Sequence, residues 1–117
     1  MNIEELRDYC LAVKGAEEST PFGEHILAYK VMNKMFAFFL LNPKEAEHFV
    51  VLKCDPEKTV TLREKYRGIT KGFYTGPTLT WNSVYIQRDV PDALIAELIE
   101  HSAEEVIKKL PKKRKEF

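Results

Sequence analysis

Apolar side chains at helical spacing mark the beginning of the chain. They occur at Ile3, Leu6, Cys10 and Val13. Residues three and four positions apart share one face of a helix, so these four define a stripe that can be buried. Asn2 can cap the first turn, and Gly15 can end the helix. The pattern predicts a first helix in this segment.

A loop is predicted for residues 17–23, because Pro21 and Gly23 both disfavour regular structure. Phe22 lies between these two residues. We expect its ring to insert into the core and to hold the loop against the rest of the protein.

Three strand-like segments follow the loop, over residues 25–31, 34–42 and 47–54. A turn at Asn33 joins the first two, and the short links predict an antiparallel meander. In the second segment both alternating sets of side chains are apolar. A strand of this kind needs cover on both faces. It is therefore either a central strand between helices or a strand whose outer face contacts another subunit.

Two further helical regions are predicted. Asp55–Pro56 is typical of a helix start, and Gly68 is expected to end that helix. The apolar pattern over residues 92–110 keeps one helical phase throughout. Ser102 and Glu105 nevertheless form a capping-box pattern inside it. That pattern favours two short helices instead of one long helix.

A second hairpin lies between these helical regions. Residues 73–75 and 80–87 predict two strands, and Gly76–Pro77 predicts the turn that joins them. Alternation along the second strand places Trp81 and Tyr85 on the same face. That face is a candidate surface for a partner or a ligand.

The predicted element order is α-β-β-β-α-β-β-α(α), in which the strands occur as hairpins. This order indicates an α+β fold of two layers with a mainly antiparallel sheet. The chain has 117 residues, of which 44% are hydrophobic and 31% are charged. A chain of this size can bury one core, so we expect a single domain over residues 1–117 with a basic C-terminal tail at 111–117.

Charge is unevenly distributed along the chain, although the formal net charge is zero. Residues 108–117 carry six basic side chains against Glu116, so the first 107 residues carry an excess of five acidic ones. This asymmetry is compatible with an acidic partner such as nucleic acid, and equally with a solvated tail.

No signal peptide is evident, and no apolar run is long enough to span a membrane. We therefore expect a cytoplasmic protein without a membrane partner.

The sequence contains no recognisable catalytic, metal or cofactor motif. Cys10 and Cys54 have no metal or redox spacing, which favours reduced thiols. The histidines are His25, His48 and His101, and each lies in a different predicted element. The glycines after the second helix lack the spacing of a phosphate-binding loop. We therefore expect neither an enzyme nor a bound metal or cofactor.

Basic residues near two hairpin tips indicate a second kind of recognition. Such hairpins can enter DNA grooves while lysines and arginines contact the phosphates. Lys34 lies beside the first predicted turn, and Lys71 lies at the entry to the second hairpin. The residues that could extend this surface are Arg88, Lys112, Lys113 and Arg114. A solvated surface without a partner explains the same pattern equally well.

Several short motifs occur in a characteristic order along nearly the whole chain. They include Pro21-Phe22-Gly23, Tyr29-Lys30-Val31, Lys34-Met35-Phe36-Ala37, Leu52-Lys53-Cys54-Asp55-Pro56-Glu57, Gly68-Ile69, Gly72-Phe73, Trp81-Asn82-Ser83-Val84 and Leu110-Pro111-Lys112-Lys113. In this order they resemble the motifs of the MmcQ/YjbR family. The resemblance implies a small cytoplasmic bacterial protein with a YjbR-like fold, similar to frataxin-like and secretion-chaperone-like domains.

The same resemblance implies DNA binding, because the family is labelled as DNA-binding through a double wing formed by its two hairpins. The sequence departs from the family pattern at the second wing. Lys71 replaces the usual proline, and Thr78-Leu79-Thr80 replaces polar or basic residues before the tryptophan. These changes remove basic residues from that wing, and Lys71 restores part of the charge.

Two hypotheses follow from the sequence. The first is a non-enzymatic protein that binds double-stranded DNA weakly and in a salt-sensitive way through its hairpins and basic tail. The alternative is a module that binds a protein or a small ligand, with a homodimer as one form, through the face of Trp81 and Tyr85.

Overall fold

The computed structural model describes residues 1–76 and 78–108. Its elements in chain order are α1 Ile3–Leu11, β1 Glu17–Ser19, β2 Ile26–Val31, β3 Lys34–Leu40, β4 Phe49–Lys53, α2 Pro56–Lys65, β5 Ile69–Lys71, β6 Trp81–Tyr85 and α3 Asp92–Lys108. The strands form one sheet in the order β1-β2-β3-β4-β6-β5, and all neighbours are antiparallel. The predicted α+β fold with an antiparallel sheet is therefore confirmed.

Local capping explains where the first two helices begin. The Asn2 side chain accepts a hydrogen bond from the Glu5 backbone at 2.8 Å, and the Glu5 carboxylate accepts one from the Asn2 backbone at 3.1 Å. Asp55 caps α2 by accepting from the Lys58 backbone at 3.0 Å. Both predicted starts are correct, because they depend only on neighbouring residues. The helices end at Leu11 and Lys65, earlier than the glycines suggested.

The C-terminal helical region is one helix from Asp92 to Lys108, so the prediction of two short helices is wrong. Ser102 is buried in the middle of this helix. Its hydroxyl donates to the Phe36 carbonyl at 2.5 Å and accepts from the Lys53 backbone at 2.8 Å. The serine therefore bonds to the sheet and does not cap a helix.

A bulge in β3 decides which side chains point to each face of the sheet. Tyr29 pairs with Ala37 and Lys30 pairs with Met35, which leaves Phe36 as the extra residue. Phe36 and Ala37 consequently both belong to the main core, although they are adjacent. The alternation of apolar residues predicted for this strand is broken at this position.

The sheet separates two apolar clusters. The main core lies against the helices and contains buried residues from α1, α2 and α3. The opposite side, here called the second face, bears the buried residues Ala28, Phe38, Phe49 and Val51. Partly buried side chains from loops and strand ends, including Phe73, pack against this second face. The doubly apolar β3 thus faces the helices on one side, and on the other side it belongs to a cluster of strand residues to which the loop residue Phe73 is added.

Two loop predictions also need correction. Residues 17–19 form an edge strand, because their backbone pairs with β2. Phe22 is 59% exposed and makes an edge contact with Phe38, at 6.3 Å between ring centroids. It therefore does not insert into the core.

The second hairpin also differs from its prediction. Its first strand is formed by residues 69–71 instead of 73–75, so the connection between its two strands spans residues 72–80.

A charged cluster joins α1 to the edge of the sheet. The Arg7 guanidinium donates to both oxygens of Glu18, at 2.7 and 2.8 Å. The buried Tyr29 hydroxyl donates to the same carboxylate at 2.6 Å. These bonds, that of Arg7 first, hold the pKa of Glu18 below its usual value of 4.5. The cluster stabilises the ionised form of Glu18 in the folded protein.

No helix within the described part of the chain combines the length and apolar character needed to cross a membrane.

Replacement Ser102→Ala should lower the free energy of unfolding by about 1–3 kcal/mol, because two buried or partly buried backbone groups lose their partner. Urea denaturation monitored by circular dichroism measures this effect. Ser19→Ala on the exposed edge strand is the matched control, and we expect it to change stability by less than about 0.5 kcal/mol. An equal effect of both substitutions would contradict the role of Ser102.

Replacement Glu18→Gln should destabilise the protein near neutral pH, and the difference from the original chain should shrink as the pH falls. Glu18 has a lowered pKa in the folded state, so its contribution is present above the unfolded-state pKa and disappears as the pH falls through the folded-state pKa. Denaturation midpoints between pH 3 and 7 measure the effect. The exposed Glu97→Gln substitution serves as control, and an E18Q difference that does not change with pH would be the contradicting result.

Candidate functional site

The 72–80 connection folds back over the second face of the sheet. The Phe73 ring packs on Phe49 with centroids 5.4 Å apart, and the Phe73 backbone donates to the Ser83 hydroxyl at 3.0 Å. Gly72 permits this path, since a Cβ at this position would lie 2.3 Å from the Thr75 hydroxyl and 3.2 Å from the Trp81 backbone carbon. This glycine is therefore needed for close approach of the chain to β6.

Arg63 on α2 holds the other end of the connection. Its guanidinium donates to the Asn82 side chain at 2.8 Å and to the carbonyls of Thr78 and Trp81 at 2.8 and 3.1 Å. Asn82 is buried and donates to the Thr59 hydroxyl at 3.0 Å. The connection is thus bonded to the rest of the fold near both of its ends. The sequence pattern gave no indication of this role for Arg63.

Between this connection and the 43–47 loop lies a cavity of about 510 Å³, here called the aromatic cleft. Its apolar lining consists of Leu40, Pro43, Phe49, Phe73, Tyr74 and Tyr85. Phe49 contacts both Phe73 and Tyr85, at 5.4 and 5.2 Å between ring centroids. These distances are typical of favourable edge-to-face and tilted aromatic pairs. The floor of the cleft is therefore a packed set of rings on the second face.

Asn42 and four charged residues complete the lining, the charged ones being Lys44, Glu45, Glu47 and Arg88. The Arg88 Nε donates to a Glu47 carboxylate oxygen at 2.7 Å. Its guanidinium carbon also lies 3.8 Å from the centre of the Tyr85 ring, a cation–π contact. Hydrogen bonding to Glu47 raises the pKa of Arg88 and lowers that of Glu47. Both groups therefore remain charged at the mouth of the cleft.

Tyr74 forms the lip of the cleft and is 85% exposed. Its backbone has φ +62°, a left-handed conformation that is unfavourable for a bulky side chain. Its ring lies 4.0 Å from Phe73 between centroids. A second cavity of about 390 Å³, lined in part by Lys71 and Ser83, shares Phe73, Tyr74 and Tyr85 with the cleft. The two aromatic residues of the connection therefore stand between two adjoining depressions.

The structure separates the basic residues that the sequence grouped together. Lys34 and Lys71 lie at one end of the sheet, since β3 begins where β5 ends. Three strand spacings of about 4.8 Å separate β3 from β5. Lys71 is level with Ala37, three residues into β3 from Lys34, so the two lysines lie more than three strand spacings apart. Arg88 lies beyond the opposite end of β6, beside the aromatic cleft. Lys112, Lys113 and Arg114, like the tail at 111–117, lie outside the described residues.

Trp81 and Tyr85 share the second face, as strand alternation predicted, but they lie at opposite ends of β6. Tyr85 lines the cleft. Trp81 does not line it and packs against the second face, with the Lys53 ammonium 6.0 Å from its ring centre. The pattern of the sequence did not mark Phe49, Phe73 and Tyr74 as site residues. The one available signal was the aromatic pair Phe73-Tyr74 bracketed by Gly72 and Gly76.

Among the described residues there is no group of three histidine, cysteine or acidic side chains arranged to hold a metal ion. His101 instead accepts a hydrogen bond from the Asp55 backbone at 3.1 Å, and His48 bonds to the Leu41 carbonyl at the same distance. Both cysteines are free and buried. Burial raises the pKa of the Cys10 thiol to about 12, so this group stays protonated.

Comparison with known proteins identifies the class to which this fold belongs. The crystal structure of Deinococcus radiodurans protein DR2400, described as having a DUF419 domain, matches with a TM-score of 0.85 and 27% identity, over 97% of this chain and 84% of that one. A crystal structure of a Pseudomonas syringae protein matches with a TM-score of 0.76 and 20% identity, over 90% of this chain and 98% of that one, which supports the fold alone.

Sequence relatives give the family. The YjbR family model matches residues 11–103, and the chain belongs to the YjbR family. The Escherichia coli K12 protein YjbR is 28% identical over 117 residues, which cover all of this chain and 97% of that protein. The Escherichia coli O157:H7 protein YbdF is 30% identical over 93 residues, or 80% of this chain and 74% of that one. Both relatives are described as uncharacterized. The predicted family is confirmed.

Proposed function

We propose that this protein is a non-enzymatic binding protein that takes a small organic ligand in the aromatic cleft. The observation that carries this proposal is the cavity of about 510 Å³ on the second face, lined by rings and by a few charged groups. Small-molecule sites have this range of volume and this combination of apolar walls and sparse polar groups. The sequence suggested, as an alternative to DNA binding, a module that binds a protein or a small ligand through the face of Trp81 and Tyr85. The present proposal is the ligand-binding form of that alternative.

The charges of the cleft support binding in preference to catalysis. Arg88 and Glu47 form an ion pair at 2.7 Å, and each stabilises the charged form of the other. A general acid or base needs a pKa near the working pH, whereas this pairing moves both values away from neutrality. The pair therefore suits recognition and orientation of a ligand.

The lining of the cleft also disfavours a polyanion. Lys44 and Arg88 are matched in number by Glu45 and Glu47. A nucleic-acid surface requires a local excess of positive charge to contact successive phosphates. The balanced lining is better suited to a small molecule than to a DNA backbone.

Binding of double-stranded DNA is a second candidate function, supported by one observation. Lys34 and Lys71 lie at the same end of the sheet, each at the end of a different hairpin strand. A separation of more than three strand spacings, or at least roughly 15 Å, is compatible with contacts to separate phosphates. Neither lysine lines the aromatic cleft, although Lys71 lines the cavity that adjoins it. Lys34→Glu therefore tests the DNA surface separately from the cleft.

The ligand-binding proposal predicts saturable binding of a neutral aromatic probe. Titration with 2-naphthamide, followed by two-dimensional NMR, should shift the resonances of Phe73, Tyr74 and Tyr85. Phe73→Ala should weaken binding by about tenfold, because it removes an aromatic wall worth about 1–1.5 kcal/mol. The matched control is Phe22→Ala, which changes an exposed ring outside the cleft. Absence of saturable shifts with this probe and with its charged analogues, or shifts confined to other surfaces, would refute the proposal.

The DNA proposal predicts that charge reversal at one end of the sheet weakens binding. Fluorescence anisotropy with a labelled 20-base-pair duplex gives the DNA-binding constant at several salt concentrations. The slope of its logarithm against the logarithm of the salt concentration should decrease in magnitude by about 0.9 for each of Lys34→Glu and Lys71→Glu. Arg67→Glu is the control, because Arg67 is exposed and precedes the other end of β5. Equal effects of all three reversals, or no binding in low salt, would exclude the two hairpins as the DNA surface.

A further inference from the structure

Arg88 is held in a fixed position at the mouth of the aromatic cleft. Its Nε bonds to Glu47, and one face of its guanidinium stacks on Tyr85. The Arg88 side chain is nevertheless 38% exposed to solvent, and it lines the cavity. Among the described residues, its Nη groups have no hydrogen-bond partner. The guanidinium thus presents an unused pair of donors next to the aromatic rings.

This arrangement matches a particular ligand chemistry. Two parallel N–H groups of arginine form bidentate hydrogen bonds with a carboxylate or a phosphate. Because Glu47 and Tyr85 already restrict the side chain, less conformational entropy is lost when it binds. An anionic ligand group therefore finds a preorganised partner at this position, whereas an isolated surface arginine would first have to be ordered.

We infer that the ligand of the cleft is a small aromatic molecule bearing a single carboxylate or phosphate group, which binds Arg88 while its rings pack against Phe73 and Tyr74. The inference rests on the proposed ligand-binding function and adds the chemical class of the ligand. We specify a single anionic group because the lining carries no excess of positive charge. Glu47 is paired with Arg88, and Glu45 matches Lys44 in number.

Tyr74 supplies the wall on which the aromatic part of this ligand packs. The ring is 85% exposed, and the left-handed backbone holds it at the lip, next to Phe73. Unfavourable backbone conformations occur preferentially where a side chain must be presented to a ligand. Tyr74 therefore covers the bound rings from the solvent side, while the apolar second face lies beneath them.

The test compares three probes that share one aromatic body: 2-naphthoate, 2-naphthyl phosphate and neutral 2-naphthamide. Dissociation constants are obtained by NMR titration of the full chain at pH 7.5. At least one anionic probe should bind tenfold or more tightly than the amide, and the stronger of the two anions identifies the preferred group. Arg88→Gln should abolish this preference, so that the ratio of the amide and anion dissociation constants falls to about one.

Two further variants keep the result interpretable. Arg88→Lys preserves the charge but not the paired donors, so it should retain only part of the preference. Arg67→Gln removes an exposed arginine outside the cleft and should have no effect. If the backbone resonances in its NMR spectrum show that Arg88→Gln does not fold, Arg88→Lys provides the decisive comparison.

The possible outcomes separate the inference from the proposed function. Equal binding of the amide and both anions would leave the cleft as a ligand site and overturn the inference. Failure of all three probes would reject the proposed function as well. Competition by a second copy of the chain, seen as weaker probe binding at higher protein concentration, would also overturn the inference. Displacement of a bound anionic probe by duplex DNA would overturn the inference in the same way.

Discussion

The hydroxyl of Ser102 is the interaction on which the arrangement of the sheet depends. It bonds to the carbonyl of Phe36 and to the backbone N–H of Lys53, so one side chain of α3 joins β3 to β4 from above. Phe36 is also the extra residue of the β3 bulge. A bulge leaves backbone groups outside the regular ladder, and a buried carbonyl of this kind requires a partner. Ser102 supplies that partner.

The consequences of the bulge extend to the candidate site. Phe36 and Ala37 point to the helices, and Phe38 then points to the second face. That face is apolar, and within residues 1–76 and 78–108 no helix residue joins its cluster. Part of its cover is Phe73 of the 72–80 connection, which Gly72 brings close to β6 at one end and Arg63 holds at the other. A sheet face that is covered by loops in place of helices is only partly filled, and the aromatic cleft is the space that remains.

The candidate site depends on contacts between distant parts of the sequence. Arg88 and Glu47 are 41 positions apart and belong to different loops, yet they form the ion pair at the mouth of the cleft. Neither residue carries a local pattern that distinguishes it from an ordinary surface charge. The lysines of the two hairpins, which did carry a local pattern, lie at the other end of the sheet. Local pattern and site geometry therefore point to different surfaces of the same fold.

The sequence by itself determined the capped starts of α1 and α2, the first hairpin and the α+β class, because caps, turns and alternation depend on residues close together in the chain. It also determined the family through an ordered set of motifs. Only the tertiary structure decided that Ser102 bonds to the sheet and does not cap a helix, because its partners lie 49 and 66 positions away. The tertiary structure likewise decided that Phe22 remains exposed and that Phe73 and Tyr74 line a cleft. Burial and long-range hydrogen bonds select among the alternatives that local preferences leave open, and these terms exist only once the chain has folded.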